Sequence, residues 1–495
     1  MKLNQKQKSF LYTYLPSSLL LVFLFVGIYY LSVSVLNVET RYLSKWLPFA
    51  NRLVIGFLGA LLTSMALIIT LTSNLYTPRL AKLFVHNPIT ILGMGFILVC
   101  NLTLILVNLF PETHLLYRGL LILGYVLTIC AIGGIIPYLY FISLFIKPNY
   151  FLPLLQKQIL DGLIYVKTVS NEEAVKNEVF YTFDVLANIA YTASKRDDKQ
   201  LMFQVFDSIH EILSELMQNY DKESTQWRKS DAFFIQGISQ EGRYHLEKEY
   251  TWPEAYILGR ITKILSHLKP SHNEIIPFVC EKLLETIDEA IYHDRENIVE
   301  MHLMIFNTLF RTSLDNKDLE RFQSMSYYYR ISIELVEENP KMMSFATRSF
   351  IHYADVARKK NMPVALETVL FDIGRIILYF AYEDENVAIN YINHYILKYF
   401  DKEYLKESSY SDVYYLAMVK TYWESKGKGF TQLAKTINST LIANEEKHFN
   451  ALKCLLLFDR TLHWEFNDRL LSFAYLSDNA REIAQKYYEK RQKAA

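Results

Sequence analysis

Leu53–Leu75 reads LVIGFLGALLTSMALIITLTSNL, and Ile89–Phe110 reads ITILGMGFILVCNLTLILVNLF. Neither run contains a charged residue. Each is about 22 residues long, close to the roughly 20 that a helix needs to cross about 30 Å of hydrocarbon. In lipid the backbone must satisfy its own hydrogen bonds, so such runs must be helices. Between them lies a short basic turn, Tyr76-Thr77-Pro78-Arg79-Leu80-Ala81-Lys82. A membrane hairpin is therefore the element around which the chain is organised.

Two further apolar runs flank the hairpin. The first follows a start carrying Lys2, Lys6 and Lys8, and predicts a retained span over about 17–36. It is too long for a signal peptide and other spans follow it. The loop Asn37–Arg52, with Trp46 and Pro48, suits a membrane interface. The last run predicts a span over about 119–146, kinked near Gly133, Gly134 and Pro137. The four spans are then about 17–36, 53–75, 89–110 and 119–146, in a transmembrane domain covering 1–148.

Up to Pro148 the chain has ten Lys and Arg against Glu39 and Glu112. That leaves 42 of the 52 basic and 50 of the 52 acidic residues to the remainder. A basic membrane part and a mildly acidic second part argue against nucleic acid as a bulk electrostatic partner. Four spans put both termini on one side, with Lys2, Lys6, Lys8, Arg79, Lys82, Lys147 and Lys157 near the membrane. Arg41, Lys45, Arg52 and Arg118 fall on the other. This imbalance predicts cytoplasmic termini in a cytoplasmic membrane.

Beyond Asn149, charges recur every few residues and apolar residues recur at helical spacing, as at Leu152, Leu155, Ile159, Leu163 and Val166. No long alternating stretch suggests a sheet. The expected fold is all-α: a four-helix transmembrane domain, then a cytosolic helical, solenoid-like domain over 149–495. Thr251-Trp252-Pro253-Glu254 and Ser271-His272-Asn273-Glu274 fit the capping-box pattern of helix starts. Breaks are expected at 194–199, 222–230, 269–271, 338–341, 384–386, 426–429 and Asp478. No fixed repeat period is visible in the residues themselves.

The turn carries a family resemblance. Tyr76, Thr77, Pro78, Arg79 and Leu80 match the aromatic, Ser or Thr, Pro-Arg-Leu pattern of an uncharacterised family of bacterial membrane proteins. That family is known only as a domain of unknown function, and the chain resembles it over about Leu11–Lys147. Leu75 departs from the pattern, and the Ser-Pro…Asn-Asp-Pro segment usual in the family's soluble part is absent around Ala193–Asp198. The resemblance implies a four-helix bacterial membrane domain and no activity.

Candidate functional residues fall into two groups. Tyr76, Thr77, Pro78, Arg79 and Lys82 form a candidate coupling turn, or a turn that only sets topology. Thr63, Thr70, Ser73 and Asn74 on one span, with Asn101 and Asn108 on the next, form a polar stripe. Such a stripe either bonds helix to helix or lines a pore. Gly56, Gly59 and Ala60 are expected to admit another helix closely.

The uncharged spans weigh against a proton relay. Glu445-x-x-His448 lacks the second motif of a di-metal bundle, and Glu289 and His293 read as a solvated face. Lys426-Gly427-Lys428-Gly429 lacks phosphate-loop spacing. Cys100, Cys130, Cys280 and Cys454 have no metal or disulfide spacing. No catalytic residue, cofactor or metal is expected. The expectation is a non-enzymatic membrane-anchored scaffold or sensor, whose partners are the lipid bilayer, a protein on the helical domain and a second copy of the chain. The alternative is an oligomeric ion channel lined by spans two and three.

Overall fold

The computed structural model describes residues 40–111, 115–165, 172–218, 251–399, 408–457 and 474–494, with 244, 246, 248 and 249. The expected span at 17–36 and the expected break at 222–230 lie outside these residues. Every element among the described residues is helical, with no strand. The chain divides into two compact units. The first runs to Gln158 and includes Tyr181–Ala193; the second holds Ile159–Phe180 and the residues from Ser194 on.

In the first unit, α1 (Thr40–Leu75) is followed by the short α2 (Pro78–Val85), α3 (Pro88–Val107), α4 (Leu115–Phe145) and, as far as Gln158, α5 (Pro148–Tyr165). Three stretches, Ser44–Leu75, Pro88–Val107 and Gly119–Phe145, are long and apolar enough to cross a membrane. The expected loop before Leu53 is helical from Thr40, with Pro48 inside α1. The helix continues through Pro48 although proline removes one ladder hydrogen bond. Trp46 and Phe49 are exposed there, with rings edge to face at 6.1 Å. The expected kink site, Pro137, lies within α4, which continues through it.

α1, α3 and α4 each pack against the other two. Val54, Ile68, Cys100, Leu104, Val107 and Leu121 form their buried centre. The close approach is at Gly124, not at Gly56 or Gly59. A Cβ on Gly124 would meet Leu104 Cδ2 at 2.7 Å, while one on Gly56 or Gly59 meets nothing within 4 Å. The glycines expected to admit a helix therefore face open space, and the close approach is made by a glycine of α4.

The second unit contains α6 (Glu172–Lys195) in part, then α7 (Lys199–Gln218), α8 (Trp252–Ser266), α9 (Ile275–Tyr292), α10 (Glu296–Asp315), α11 (Leu319–Leu335), α12 (Pro340–Lys359) and α13 (Pro363–Glu383). After these come α14 (Glu385–Tyr391), α15 (Leu397–Tyr399), α16 (Ser408–Gly427), α17 (Thr431–Thr440), α18 (Glu445–Leu457) and α19 (Asp478–Ala494). Each long helix buries an i, i+3, i+4, i+7 stripe; α9 buries Ile276, Val279, Cys280, Leu283 and Ile287.

Alternate helices pack on one another. α7, α9, α11, α13 and α16 form one series, and α8, α10 and α12 the other. α9, α11 and α13 start at Ile275, Leu319 and Pro363, a constant step of 44 residues. α10 and α12 start at Glu296 and Pro340, the same step. This period was invisible in the residues because the breaks use different side chains. Asp294, Lys317 and Asn361 all have φ near 55°. Each is followed by the six-to-one hydrogen bond of a Schellman cap: Arg295 N to Ala290 O, Asp318 N to Ser313 O, and Met362 N to Ala357 O.

Neither capping box forms. Thr251 does precede α8, but its side chain makes no cap bond, and Glu254 is wholly buried facing Arg295 at 3.9 Å. Pro270–His272 is instead a 3-10 turn, and the next helix starts only at Ile275. The reason is Arg321, nearly wholly buried. Its guanidinium donates to the carbonyls of Leu265 and Leu268 at the end of α8 and to Asn273 Oδ1. Asn273 in turn donates to Asp318 and Glu320, so this segment is held by contacts between helices.

Candidate functional site

The turn between the hairpin helices is shorter and better fixed than a basic loop. Only Tyr76 and Thr77 separate α1 from α2, because Pro78 supplies the preset φ of a first helical residue. Pro88 and Pro148 begin α3 and α5 in the same way. Leu80, Ala81 and Phe84 form the buried face of α2. Phe84 lies 5.0 Å from the Phe145 ring and stacks on Phe141 at 6.3 Å. The turn is thus held against the end of α4 by aromatic area.

Tyr76 adds a polar tie. Its hydroxyl donates to the Ile146 carbonyl at 2.8 Å, and its ring meets Phe151 edge to face at 4.8 Å. A helix leaves its last carbonyls without intrahelical partners, and the Pro148 nitrogen cannot donate. Tyr76 therefore satisfies a group that the local sequence leaves open. Thr77 is buried, Pro78 is exposed, and Arg79 and Lys82 lie on α2. Lys82 is therefore a helical residue, not part of the turn itself.

Thr63 donates to Gly59 O at 2.8 Å, Thr70 to Ala66 O at 2.8 Å, and the Asn108 amide to Leu104 O at 3.1 Å, each within its own helix. These three are exposed, as is Asn74; Ser73 and Asn101 are half-buried. One polar contact between these helices is Cys100 Sγ to Thr128 Oγ1, 3.7 Å and buried. Sequence reasoning treated Cys100 only as a small hydrophobe. Its partner could have been sought at Thr128, four residues after Gly124 where the helices close up.

α1, α3 and α4 also enclose a crevice of about 180 Å³ lined by Ala60, Ser64, Gly93, Cys130, Gly134 and Tyr138 among others. The Tyr138 hydroxyl is buried with no hydrogen-bond partner.

The remaining expected clusters are taken up by ordinary contacts. Glu445 accepts from Arg491 at 2.7 Å, whereas His448 is buried among the rings of Tyr422, Trp423 and Tyr487. Burial, with Arg491 and Lys426 adding to it, pushes the His448 pKa down to about 4. Glu289 accepts from Ser214 and Gln218, and His293 is exposed. Gly429 takes the left-handed conformation, φ 84°, between α16 and α17. No group of three His, Cys, Asp or Glu able to hold a metal occurs among the described residues.

Compared with protein-family models, with curated proteins and with solved structures, the chain matches none.

Proposed function

We propose that this protein is a membrane-anchored helical scaffold or sensor of the bacterial cytoplasmic membrane. In this reading both termini and the second unit are cytoplasmic, and the N-terminal apolar run completes a four-span bundle. The second unit is an α-solenoid that offers its stacked helices to a protein partner. The observation that carries the reading is the constant 44-residue step from α9 to α11 to α13. Stacked helix pairs of this size bury a continuous core and leave long exposed faces, which suits binding better than enclosed chemistry. The Tyr76–Ile146 tie supports a coupling role for the turn, since it joins the hairpin to the chain leaving the membrane. The resemblance around Tyr76–Leu80 supports the membrane part alone.

A second reading is an oligomeric channel lined by α1 and α3. It is favoured by the exposure of Thr63, Thr70 and Asn108, which would be available to neighbouring copies. Purified full-length protein in planar bilayers decides between the two. The scaffold reading expects no unitary current. Reproducible currents, lost in Asn101→Leu/Thr70→Leu while the protein still inserts, overturn it in favour of the channel.

A further inference from the structure

Four features of the first unit meet at one end of the membrane helices: α2, the start of α3, the end of α4 and the start of α5. α2 is two-faced. Leu80, Ala81 and Phe84 are buried, while Pro78 and Val85 are exposed. At about 100° per residue, positions 79 and 82 fall within about 60° of one another, on the side opposite the buried stripe. Both positions are basic, Arg79 and Lys82. The Tyr76–Ile146 bond brings the start of α2 beside Lys147, which is exposed.

Acidic residues are scarce in the sequence around these positions. Between Glu39 and Asp161 the sequence has one acidic residue, Glu112. In the sequence it falls between α3 and α4. Basic positions at one end of three membrane-capable helices, on the side of α2 opposite its buried face, suit the level of lipid headgroups in a bilayer.

We propose that this end of the unit is a docking surface for anionic phospholipid headgroups, with Arg79, Lys82 and Lys147 as the contacting cations. The inference does not depend on the scaffold reading; a channel would carry the same surface. Charge complementarity selects the occupant. A zwitterionic headgroup brings no net charge to the site, whereas phosphatidylglycerol brings one negative charge to each contact. Each basic residue near an anionic surface contributes about a fivefold preference.

The test uses full-length protein reconstituted in phosphatidylcholine vesicles with spin-labelled phosphatidylglycerol or spin-labelled phosphatidylcholine as probe. The fraction of motionally restricted label gives the preference for one lipid over the other. The wild type is expected to prefer phosphatidylglycerol, and to lose that preference as salt is raised. Arg79→Gln/Lys82→Gln/Lys147→Gln is expected to lose about fivefold for each cation removed. Arg41→Gln/Lys45→Gln/Arg52→Gln removes as many cations at the other end of α1 and is expected to keep the preference. If the triple variant fails to fold by circular dichroism, Lys147→Gln alone decides, with an expected loss of about fivefold. Undiminished preference in the folded variant, or an equal loss in the Arg41 set, overturns the proposal. Displacement of the label by millimolar inorganic phosphate also overturns it, by assigning the cations to free phosphate.

Discussion

The hydroxyl of Tyr76 and the carbonyl of Ile146, 70 residues apart in the chain, are joined by a 2.8 Å hydrogen bond. The donor stands just after α1 and the acceptor just after α4, so two helix ends share one contact. The Tyr76 ring then rests on Phe151 in the first turn of α5. A turn that sequence reading treats as a topology signal is therefore also tied to the point where the chain leaves the apolar helices.

Removing this hydroxyl should cost little, and removing the ring more. Tyr76→Phe loses one net hydrogen bond and strands the Ile146 carbonyl, an expected loss of about 1–2 kcal/mol. Tyr76→Ala also loses the contact with Phe151, for a total of about 2–4 kcal/mol. Thermal unfolding in detergent, followed by circular dichroism, reads both. Equal effects from the two substitutions would show that the ring contributes nothing.

The glycines of the first unit should separate by what they touch. Gly124→Leu forces its side chain into Leu104 and is expected to destabilise by about 1–3 kcal/mol. Gly56→Ala and Gly59→Ala meet nothing and improve helix propensity, so each should be neutral or stabilising by up to about 1 kcal/mol. The same unfolding assay in detergent ranks them. A larger penalty at Gly59 than at Gly124 contradicts the packing described.

Left-handed caps in the second unit give a third test. Lys317 holds φ 55° with a side chain that disfavours it, so Lys317→Gly is expected to stabilise by about 1 kcal/mol. Asn361→Gly should gain less, because asparagine tolerates this conformation better. Gly429→Ala, at φ 84°, should lose about 1 kcal/mol or more. Denaturant midpoints of the full chain measure all three; a loss of stability in Lys317→Gly counts against the cap.

Acid should loosen the second unit through its buried histidines. His302 is fully buried; its Nδ1 faces the Ile298 carbonyl, which can only accept, so that nitrogen carries the proton. Burial pushes its pKa down to about 4, with His210 adding to the effect. The folded value lies below the unfolded one, near 6.5, so the unfolded chain binds the extra proton first. Stability is full above about pH 6.5 and falls as pH drops toward 4, by about 1.4 kcal/mol per unit for one such histidine. His448 acts in the same direction. His302→Phe should flatten part of this slope in pH-dependent unfolding; an unchanged slope would mean that His302 charges readily in the folded state.

The three membrane-capable helices among the described residues were legible because hydrocarbon leaves the backbone no other solution, and a long apolar run is its direct signature. The breaks at 338–341 and 384–386 were legible too. Asn339 and Asp384 accept from the backbone of the helices that follow them, as such residues do at helix starts. Lys317 was not legible, since nothing about lysine marks a left-handed residue. Ser271 and Glu274 misled for a related reason: Pro270–His272 is a 3-10 turn, and Glu274 pairs with Lys199 at 2.8 Å rather than with the start of a helix at Ser271. The stripe of Thr63 and Thr70 shows a further limit. Spacing places hydroxyls on a face, but a threonine in a helix reaches its own carbonyl four residues back before it reaches a neighbour.

Hydrogen exchange of the full-length protein in lipid nanodiscs, comparing wild type with Tyr76→Phe, most directly tests the claim that turn and exit are tied. The account predicts faster exchange, by about fivefold for a lost bond of about 1 kcal/mol, at both ends of the contact. These are the peptides covering Pro78–Val85 and the first turns of α5, while α8 stays at the wild-type rate. Wild-type exchange in α5 of the variant would contradict the tie.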